Sequence, residues 1–170
     1  MASFGMGAAS AAAVPAEQIE ASTPWLAAAD GKLSLLQSSL AHLNLTVAAA
    51  DENGYTLLHA AASYGQLPVM EWILSQIRQL PEEQQLAAIN AVDKDGDSAL
   101  HYAGTLEAAK LLVDVGIHAT LKNAQGKTAL EAKVEEITSM MEEDEEDSDS
   151  EDAENLRKQI QYLENPMSAC

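Results

Sequence analysis

The sequence predicts an all-α solenoid of paired antiparallel helices that are joined by turns. A motif recurs along the 170-residue chain, as DENGYTLLHAAASYG at 51–65 and as DKDGDSALHYAG at 93–104. The repeat spacing of about 34, 42 and 30 residues scatters around the period of about 33 residues of one solenoid class. Apolar residues make up 47% of the chain and aromatic residues only 4%, so Ala and Leu supply the core, which favours thin, closely packed helices.

Corresponding slots of successive units carry the same residue types. A glycine stands where a turn calls for a positive φ, and a hydroxyl residue follows where it can cap the next helix. Gly65 ends a short helix in the manner of a C′ glycine. The repeated slots are Gly54 and Gly96 with Gly126, Thr56 and Ser98 with Thr128, Leu58 with Leu100, and His59 with His101.

Four units follow from this alignment, at about 22–50, 51–92, 93–122 and 123–141. The first is partial, and the last has the character of a cap because Glu131 replaces the His and no full second helix follows. Each complete unit is a turn, a helix, a loop and a second helix. Such a unit cannot bury its own apolar face, and stacking on a neighbouring unit buries it.

Two units depart from the repeat length. The segment LPEEQQLAAIN, 80–90, lengthens the second unit, and Pro81 followed by two acids predicts the start of a short extra helix. The third unit is shorter, and its first helix is expected to end early, near Gly104.

The stretch DENGYTLLHAAASYGQLPVMEWIL resembles an ankyrin repeat, whose pattern is Asp-x-x-Gly-x-Thr-Pro-Leu-His-x-Ala-Ala-x-x-Gly-His. The resemblance covers roughly residues 22–141 and about three to four repeats including caps. The whole chain is similar to small fungal ankyrin proteins that have an acidic C-terminus. The resemblance implies a scaffold that binds a protein partner on a concave face made of the turns and first helices, without catalysis or a cofactor.

By the layout that the resemblance implies, three tyrosines and four acids lie on or beside that concave face. Exposed tyrosine is a common interface anchor, and tyrosines among acids suggest a basic, partly apolar partner. The alternative is a solvated polar face without a partner. The candidate residues are Tyr55, Tyr64, Tyr102, Asp30, Glu52, Asp95 and Asp97.

Catalytic and metal sites are not expected. His59 and His101 occupy one repeated slot, which implies a repeated packing role rather than chemistry. The four histidines and one cysteine show no zinc-type spacing.

The charge distribution is the second signal. The net charge of −18 argues against direct binding of nucleic-acid phosphate. The segment EEDEEDSDSEDAE, 142–154, contributes −10 and leaves −8 for the rest. It is expected to be disordered, and it serves either as a solubilising tail or as an arm that attracts a basic client. Ser148 is a candidate phosphorylation site among these acids.

The ends of the chain add weaker signals. An amphipathic helix is predicted at 155–165; it either folds back onto the repeats or docks in a partner, and a mobile peptide or weak self-contact is favoured. An Ala-rich flexible segment, 1–21, precedes the repeats and a short end, 166–170, follows them. The first segment lacks the pattern of a signal peptide, and no stretch is apolar enough to span a membrane.

A lone cysteine, Cys170, excludes an internal disulfide and favours a reducing compartment, cytoplasmic or nuclear. The function expected is a non-catalytic adaptor, monomeric on its own, that binds a protein partner and escorts a basic client with help from the acidic segment. The alternative is a neutral regulatory adaptor whose acidic segment only confers solubility.

Overall fold

The computed structural model describes residues 19–143 and 150–165 of the chain. Within these ranges the protein is helical, with two isolated antiparallel bridges, Ala50 to Thr56 and Val92 to Ser98, at the turns. The helices are α1 (Thr23–Ala29), α2 (Leu33–Leu43), α3 (Leu57–Ser63), α4 (Leu67–Ile77), α5 (Glu82–Ile89), α6 (Ala99–Tyr102), α7 (Leu106–Asp114), α8 (Ala129–Glu143) and α9 (Glu151–Glu164).

The helices form two stacked rows, which confirms the predicted solenoid. The inner row is α1, α3, α6 and α8, each of which packs against the next, and the outer row includes α4, α7 and α9. Helices α3 and α6 each run from a turn that precedes them, on what we call the finger edge, to the corner where the chain reverses, on what we call the corner edge. Helix α1 precedes a corner, and α8 follows a finger turn. The turns of the finger edge span 51–55, 93–97 and 123–127, and the corners centre on Gly31, Gly65 and Gly104.

Small side chains set the distance between the inner helices. Ala60, Ala61 and Ala62 on α3 are all at least 98% buried, and they leave room for the neighbouring helix to approach closely. Leu58 and Leu100, at equivalent positions of successive units, are 2% and 0% exposed. The core therefore repeats with the sequence motif, and stacking buries what one unit alone would expose.

Both predicted departures from the repeat length are confirmed. The extra helix α5 begins directly after Pro81, with two acids in its first turn. Their negative charges interact favourably with the positive end of the helix dipole. The inner helix of the third unit, α6, has only 4 residues against 7 in α3. It stops because Gly104 lies against the preceding corner, where its N–H donates to the Ala62 carbonyl at 2.9 Å. A Cβ on Gly104 would sit 2.0 Å from the Ser63 oxygen, so only glycine fits.

The C-terminal helix packs on the stack, contrary to the expectation of a mobile peptide or weak self-contact. Ala153 and Leu156 of α9 are buried with Ile137 of α8 in a second apolar cluster, and α9 also packs against α7. The apolar side chains that predicted an amphipathic helix thus find their partners within the chain. Together α8 and α9 form the inner and outer helices of a fourth unit.

Helix α9 starts earlier than the sequence predicted, at Glu151 rather than at 155, and it ends at Glu164. Ser150 caps it, since its Oγ accepts the N–H of Ala153 at 3.2 Å, and three acids in the first turn favour the helix dipole. The segment 142–154, expected to be disordered, is therefore helical at both of its ends. Its remaining residues, 144–149 with Ser148, lie outside the described residues, as do 1–18 of the flexible N-terminal segment and the end at 166–170.

Candidate protein interface

The finger edge consists of three turns of one design. In each, a side-chain oxygen of the first residue accepts two backbone N–H groups: Asp51 Oδ1 accepts those of Asn53 and Tyr55 at 2.8 and 2.9 Å. Asp93 and Asn123 do the same in the next two turns. The glycines at 54, 96 and 126 adopt φ of +80°, +76° and +76°, which an L-residue with a Cβ adopts only with strain.

Two histidines join the turns to the helices. Nδ1 of His59 accepts the N–H of Thr56 at 3.1 Å, and its Nε2 lies 3.0 Å from the Asp97 carbonyl of the next turn. His101 repeats this, with Ser98 N–H at 3.2 Å and the Lys127 carbonyl at 3.2 Å. In both rings the accepting Nδ1 leaves the proton on Nε2, which donates to the carbonyl. Both imidazoles therefore act as clamps between adjacent units.

In the fourth unit a glutamate takes the place of the clamping histidine. In the fourth unit the carboxylate of Glu131 accepts the Thr128 N–H at 2.8 Å, which replaces the histidine bond within the unit. That hydrogen bond lowers the pKa of Glu131.

Burial lowers the pKa of His59, so this imidazole is held neutral at pH 7 and has both nitrogens engaged. A general base needs a free nitrogen near its substrate, and His59 has none.

Aromatic rings cover the inner face between the second and third units. The ring of Tyr102 stands edge-on to those of Tyr55 and His59, with centroids 5.1 and 5.6 Å apart. The Tyr102 hydroxyl donates to Asp93 Oδ2 at 2.7 Å. Burial, followed by that hydrogen bond, raises the pKa of Tyr102. Burial likewise raises the pKa of Tyr55, although a hydrogen bond with Ser63 opposes it.

The seven candidate residues do not form one patch. Glu52, Tyr55, Asp95, Asp97 and Tyr102 gather at the finger edge and on the adjoining inner face. Asp30 and Tyr64 instead occupy equivalent positions at the corner edge, each directly before a corner glycine. The 7-residue helix α3 separates the two edges by about 10 Å at 1.5 Å per residue.

Each group contains both exposed side chains and side chains that are already bonded. At the finger edge, Glu52 and Asp95 are exposed, while Asp97 accepts the Asn123 amide at 2.8 Å. At the corner edge, Tyr64 is 66% exposed, and Asp30 pairs with Lys32 at 2.7 Å. Glu52, Asp95 and Tyr64 are therefore the most available of the seven.

The corner edge also carries residues that the motif search missed. Lys133 donates to the Ala103 carbonyl at 2.7 Å, and the Asn155 amide donates to the Gly104 carbonyl at 2.9 Å and accepts the Leu106 N–H at 3.1 Å. These side chains satisfy backbone groups that the short α6 leaves unpaired. Lys133 could have been noticed in the sequence, because it stands in the slot of the buried Ala61 and Ala103.

The described ranges hold neither a metal site nor a membrane span. No three His, Cys, Asp or Glu side chains of residues 19–143 and 150–165 come together as metal ligands would. No helix in that part of the chain is long and apolar enough to cross a membrane.

Known proteins resemble this chain over its repeats. A family model described as ankyrin repeats (3 copies) matches residues 24–123. An ankyrin repeat-containing protein, P1E11.10, of Schizosaccharomyces pombe is 35% identical over 108 residues, which are 62% of this chain and 46% of that protein. Synphilin-1 of Mus musculus is 35% identical over 75 residues, 42% of this chain and 7% of that protein. The matches thus span less than half the length of either relative, and the family match ends before α8.

Proposed function

The chain belongs to the ankyrin-repeat family, and we propose that it is a non-catalytic adaptor that binds and escorts a basic protein client. Ankyrin repeats generally mediate protein–protein interaction, and this class of function comes with the family. The observation that carries the choice of client is the finger edge. There Tyr55 and Tyr102 lie in edge-to-face contact, and the exposed carboxylates of Glu52 and Asp95 stand on the adjoining finger turns.

The charge of the whole chain supports a basic client. The acids of the finger edge are part of the net charge of −18 of the whole chain, of which the segment 142–154 holds −10. Charge of one sign at this density attracts an oppositely charged partner before contact and speeds their encounter. Salt screens that attraction over about 8 Å at physiological ionic strength, so client binding should weaken as salt is added.

The acidic segment and the finger edge would contact different parts of the client. Helix α8 starts beside the last finger turn and extends for 15 residues to Glu143, which is about 22 Å at 1.5 Å per residue. Glu143 therefore lies about that distance along α8 from the last finger turn. A client that uses both the finger edge and the acids near this end of α8 would have to extend over a comparable distance, which takes about seven residues of extended chain.

Capture from native extract, read by mass spectrometry, tests this proposal. One variant, Glu52→Gln/Asp95→Asn, removes two exposed carboxylates from the finger edge. A second replaces the five acids within 144–149 by their amides and retains the chain length, which matters because truncation before 142 would also remove α9. The matched control, Glu71→Gln/Asp114→Asn, removes two exposed carboxylates from α4 and α7.

We expect one basic protein to be retained by the wild-type chain and by the control at low salt, and to be reduced by either test variant. The same partner in every lane, at low and moderate salt, would support the alternative. In that case the chain is a neutral regulatory adaptor, and its acidic segment serves solubility. The client would be met in a reducing compartment, the cytoplasm or the nucleus, which suits a chain with one cysteine.

A further inference from the structure

A cleft of about 400 Å³ opens at the N-terminal end of the repeat stack, where the first unit meets the finger turn of the second. Its lining comprises Ala21, Ser22 and Trp25 of the first unit with Asp51 and Glu52 of that turn. Glu52 already belongs to the finger edge. The cleft therefore continues the proposed client surface along the stack.

Trp25 forms the clamp between the first and second units. It stands six residues before a corner glycine, as His59 does. Its Nε1–H donates to the Tyr55 carbonyl at 2.8 Å, which repeats the bond from His59 to the Asp97 carbonyl. This bond fixes one edge of the indole and occupies the only polar atom of the ring. What the indole presents to the cleft is therefore carbon and its π electrons.

The indole remains accessible although it is held in place. His59 is 1% exposed, whereas Trp25 is only partly buried, since it lies in the first unit of the described ranges and no unit stacks before it there. Among aromatic side chains tryptophan attracts a cation most strongly to its face. The ring thus offers a fixed surface for an apolar group or for a cation.

The charges of the lining decide between these two ligands. The lining contains two carboxylates and no basic side chain. Glu52 is exposed, and Asp51 holds the turn through Oδ1, which accepts the N–H groups of Asn53 and Tyr55 and leaves Oδ2 for a ligand. Lys94 of the next turn is bonded to Asn53 at 3.0 Å and does not line the cleft. An aromatic ring with two carboxylates around one cleft favours a cation over a neutral apolar group.

We propose that this cleft receives an arginine side chain of the basic client, whose guanidinium stacks on the Trp25 indole and donates to the carboxylates of Asp51 and Glu52. This assignment rests on the proposed function, because it names the side chain by which that client is recognised. Arginine suits the cleft better than lysine. Its planar guanidinium covers a ring with its face while its N–H groups point outward in the same plane, and it is more weakly hydrated than an ammonium.

Small probes test the cleft without the client. The ¹⁵N-labelled full chain is titrated at low salt with N-acetyl-arginine amide and with N-acetyl-lysine amide, which carries the same charge. A third probe, N-acetyl-citrulline amide, has nearly the shape of arginine but no charge. The indole N–H signal of Trp25 reports binding, that of Trp72 on α4 is the internal control, and Trp72→Phe assigns the two signals.

The three probes should differ in the shift of the Trp25 signal. We expect that signal to move and to saturate with arginine at a Kd on the order of 1–10 mM, as suits a fragment on an open cleft. Lysine should bind at least about threefold more weakly. Citrulline should give no saturable shift, because it has no charge to interact with the ring or the carboxylates.

One variant tests the carboxylates, with the backbone N–H of Asn53 as reporter. Asp51→Asn/Glu52→Gln should weaken arginine binding about three- to tenfold, since two charges near the surface are removed. It should keep the turn, because Asn123 accepts the equivalent two N–H groups in the fourth unit.

A second variant tests the ring with the same reporter. Trp25→His retains a ring N–H donor like that of His59, and at pH 8 its imidazole is neutral. It should weaken arginine binding about two- to fivefold, as the smaller ring offers less cation–π attraction. The matched control, Glu71→Gln/Asp114→Asn on α4 and α7, should leave the Kd unchanged.

The assignment would be overturned by shifts that do not saturate, by equal binding of arginine and either other probe, or by a Kd unchanged in either variant that folds. A Trp25 signal that moves with protein concentration alone would instead give the cleft to a second copy of the chain. Failure here with client capture intact would remove the arginine site and leave the proposed function standing. Saturable arginine binding in a chain that captures no basic protein would contradict the proposed function.

Discussion

Replacement of His59 by Ala separates a structural role from a catalytic one. The wild-type side chain accepts the Thr56 N–H at 3.1 Å and reaches the Asp97 carbonyl at 3.0 Å, and His59 is 1% exposed. Alanine would leave the Thr56 N–H unpaired in the interior and a cavity where the ring had been. The Asp97 carbonyl would lose one of its two hydrogen bonds and keep the one from the Asp93 N–H at 3.1 Å. The clamp between the second and third units would be lost.

The magnitude follows from these contacts. The unpaired Thr56 N–H costs about 1–2 kcal/mol, the lost hydrogen bond to the Asp97 carbonyl about 0.5–1.5 kcal/mol, and the cavity left by the buried ring about 1–2 kcal/mol. We therefore expect His59→Ala to lower the free energy of unfolding by about 3–5 kcal/mol. That is a large part of the roughly 5–15 kcal/mol that stabilises a native protein.

Urea denaturation followed by far-UV circular dichroism measures this loss. The matched control is His118→Ala, because His118 is exposed and its backbone, which alanine retains, makes the hydrogen bonds to Asn90 and Leu121. We expect a change within about 0.5 kcal/mol. Equal stability of the two variants would refute the clamp.

The pH dependence gives a second check on His59. Because burial lowers the pKa of His59 from its ordinary value of 6.5, the unfolded chain takes up the proton first as the pH falls. The contribution of neutral His59 to the free energy of unfolding is complete above pH 6.5 and decreases as the pH falls below that value. The wild-type protein should show this fall, and the same acid titration of His59→Ala should lack that component.

The remaining predictions concern the corner edge. Gly104→Ala should prevent or severely destabilise folding, because the new Cβ would lie 2.0 Å from the Ser63 carbonyl oxygen; a melting temperature equal to wild type would contradict this close approach. Asn155→Ala should cost about 1–3 kcal/mol in urea denaturation, since two backbone groups lose their partner; no loss would mean that α9 docks without this bond. Burial lowers the pKa of Lys133 from 10.5 to about 8, so wild-type stability should rise between these pH values, by up to about 3 kcal/mol. Lys133→Met should lack that rise, and parallel curves for the two proteins would contradict the burial of the charge.

Much of the fold could be predicted because the motif repeats. A glycine in each turn, a hydroxyl cap and a following histidine or glutamate fix the local geometry, and the alignment of Gly54 with Gly96 sets the units. Helix α5 followed from Pro81 and its acids, and the early end of α6 followed from the shortened third unit. These are local rules, which a single sequence displays.

The docking of α9 as the second helix of the fourth unit could not be predicted, since it depends on contacts distant in the sequence. Ala153 and Leu156 show an amphipathic pattern, but the pattern does not say what covers it, and Ile137 proves to do so. Lys133 and Asn155 donate to the carbonyls of Ala103 and Gly104, which the short α6 leaves without donors of its own. The cap at Thr56 and the glycine at Gly65 already set Tyr55 and Tyr64 at opposite ends of one helix, and the prediction of a single face overlooked this separation.

The measurement that tests the account most directly is the Kd of the captured client for the wild-type chain and for Glu52→Gln/Asp95→Asn, by calorimetry at two salt concentrations. The account predicts that the wild-type Kd rises steeply between about 0.05 and 0.3 M salt. It also predicts that the variant binds more weakly at low salt, by up to about tenfold for two exposed charges, and loses part of the salt dependence. A Kd that changes with neither salt nor the two carboxylates would contradict recognition of a basic client at the finger edge.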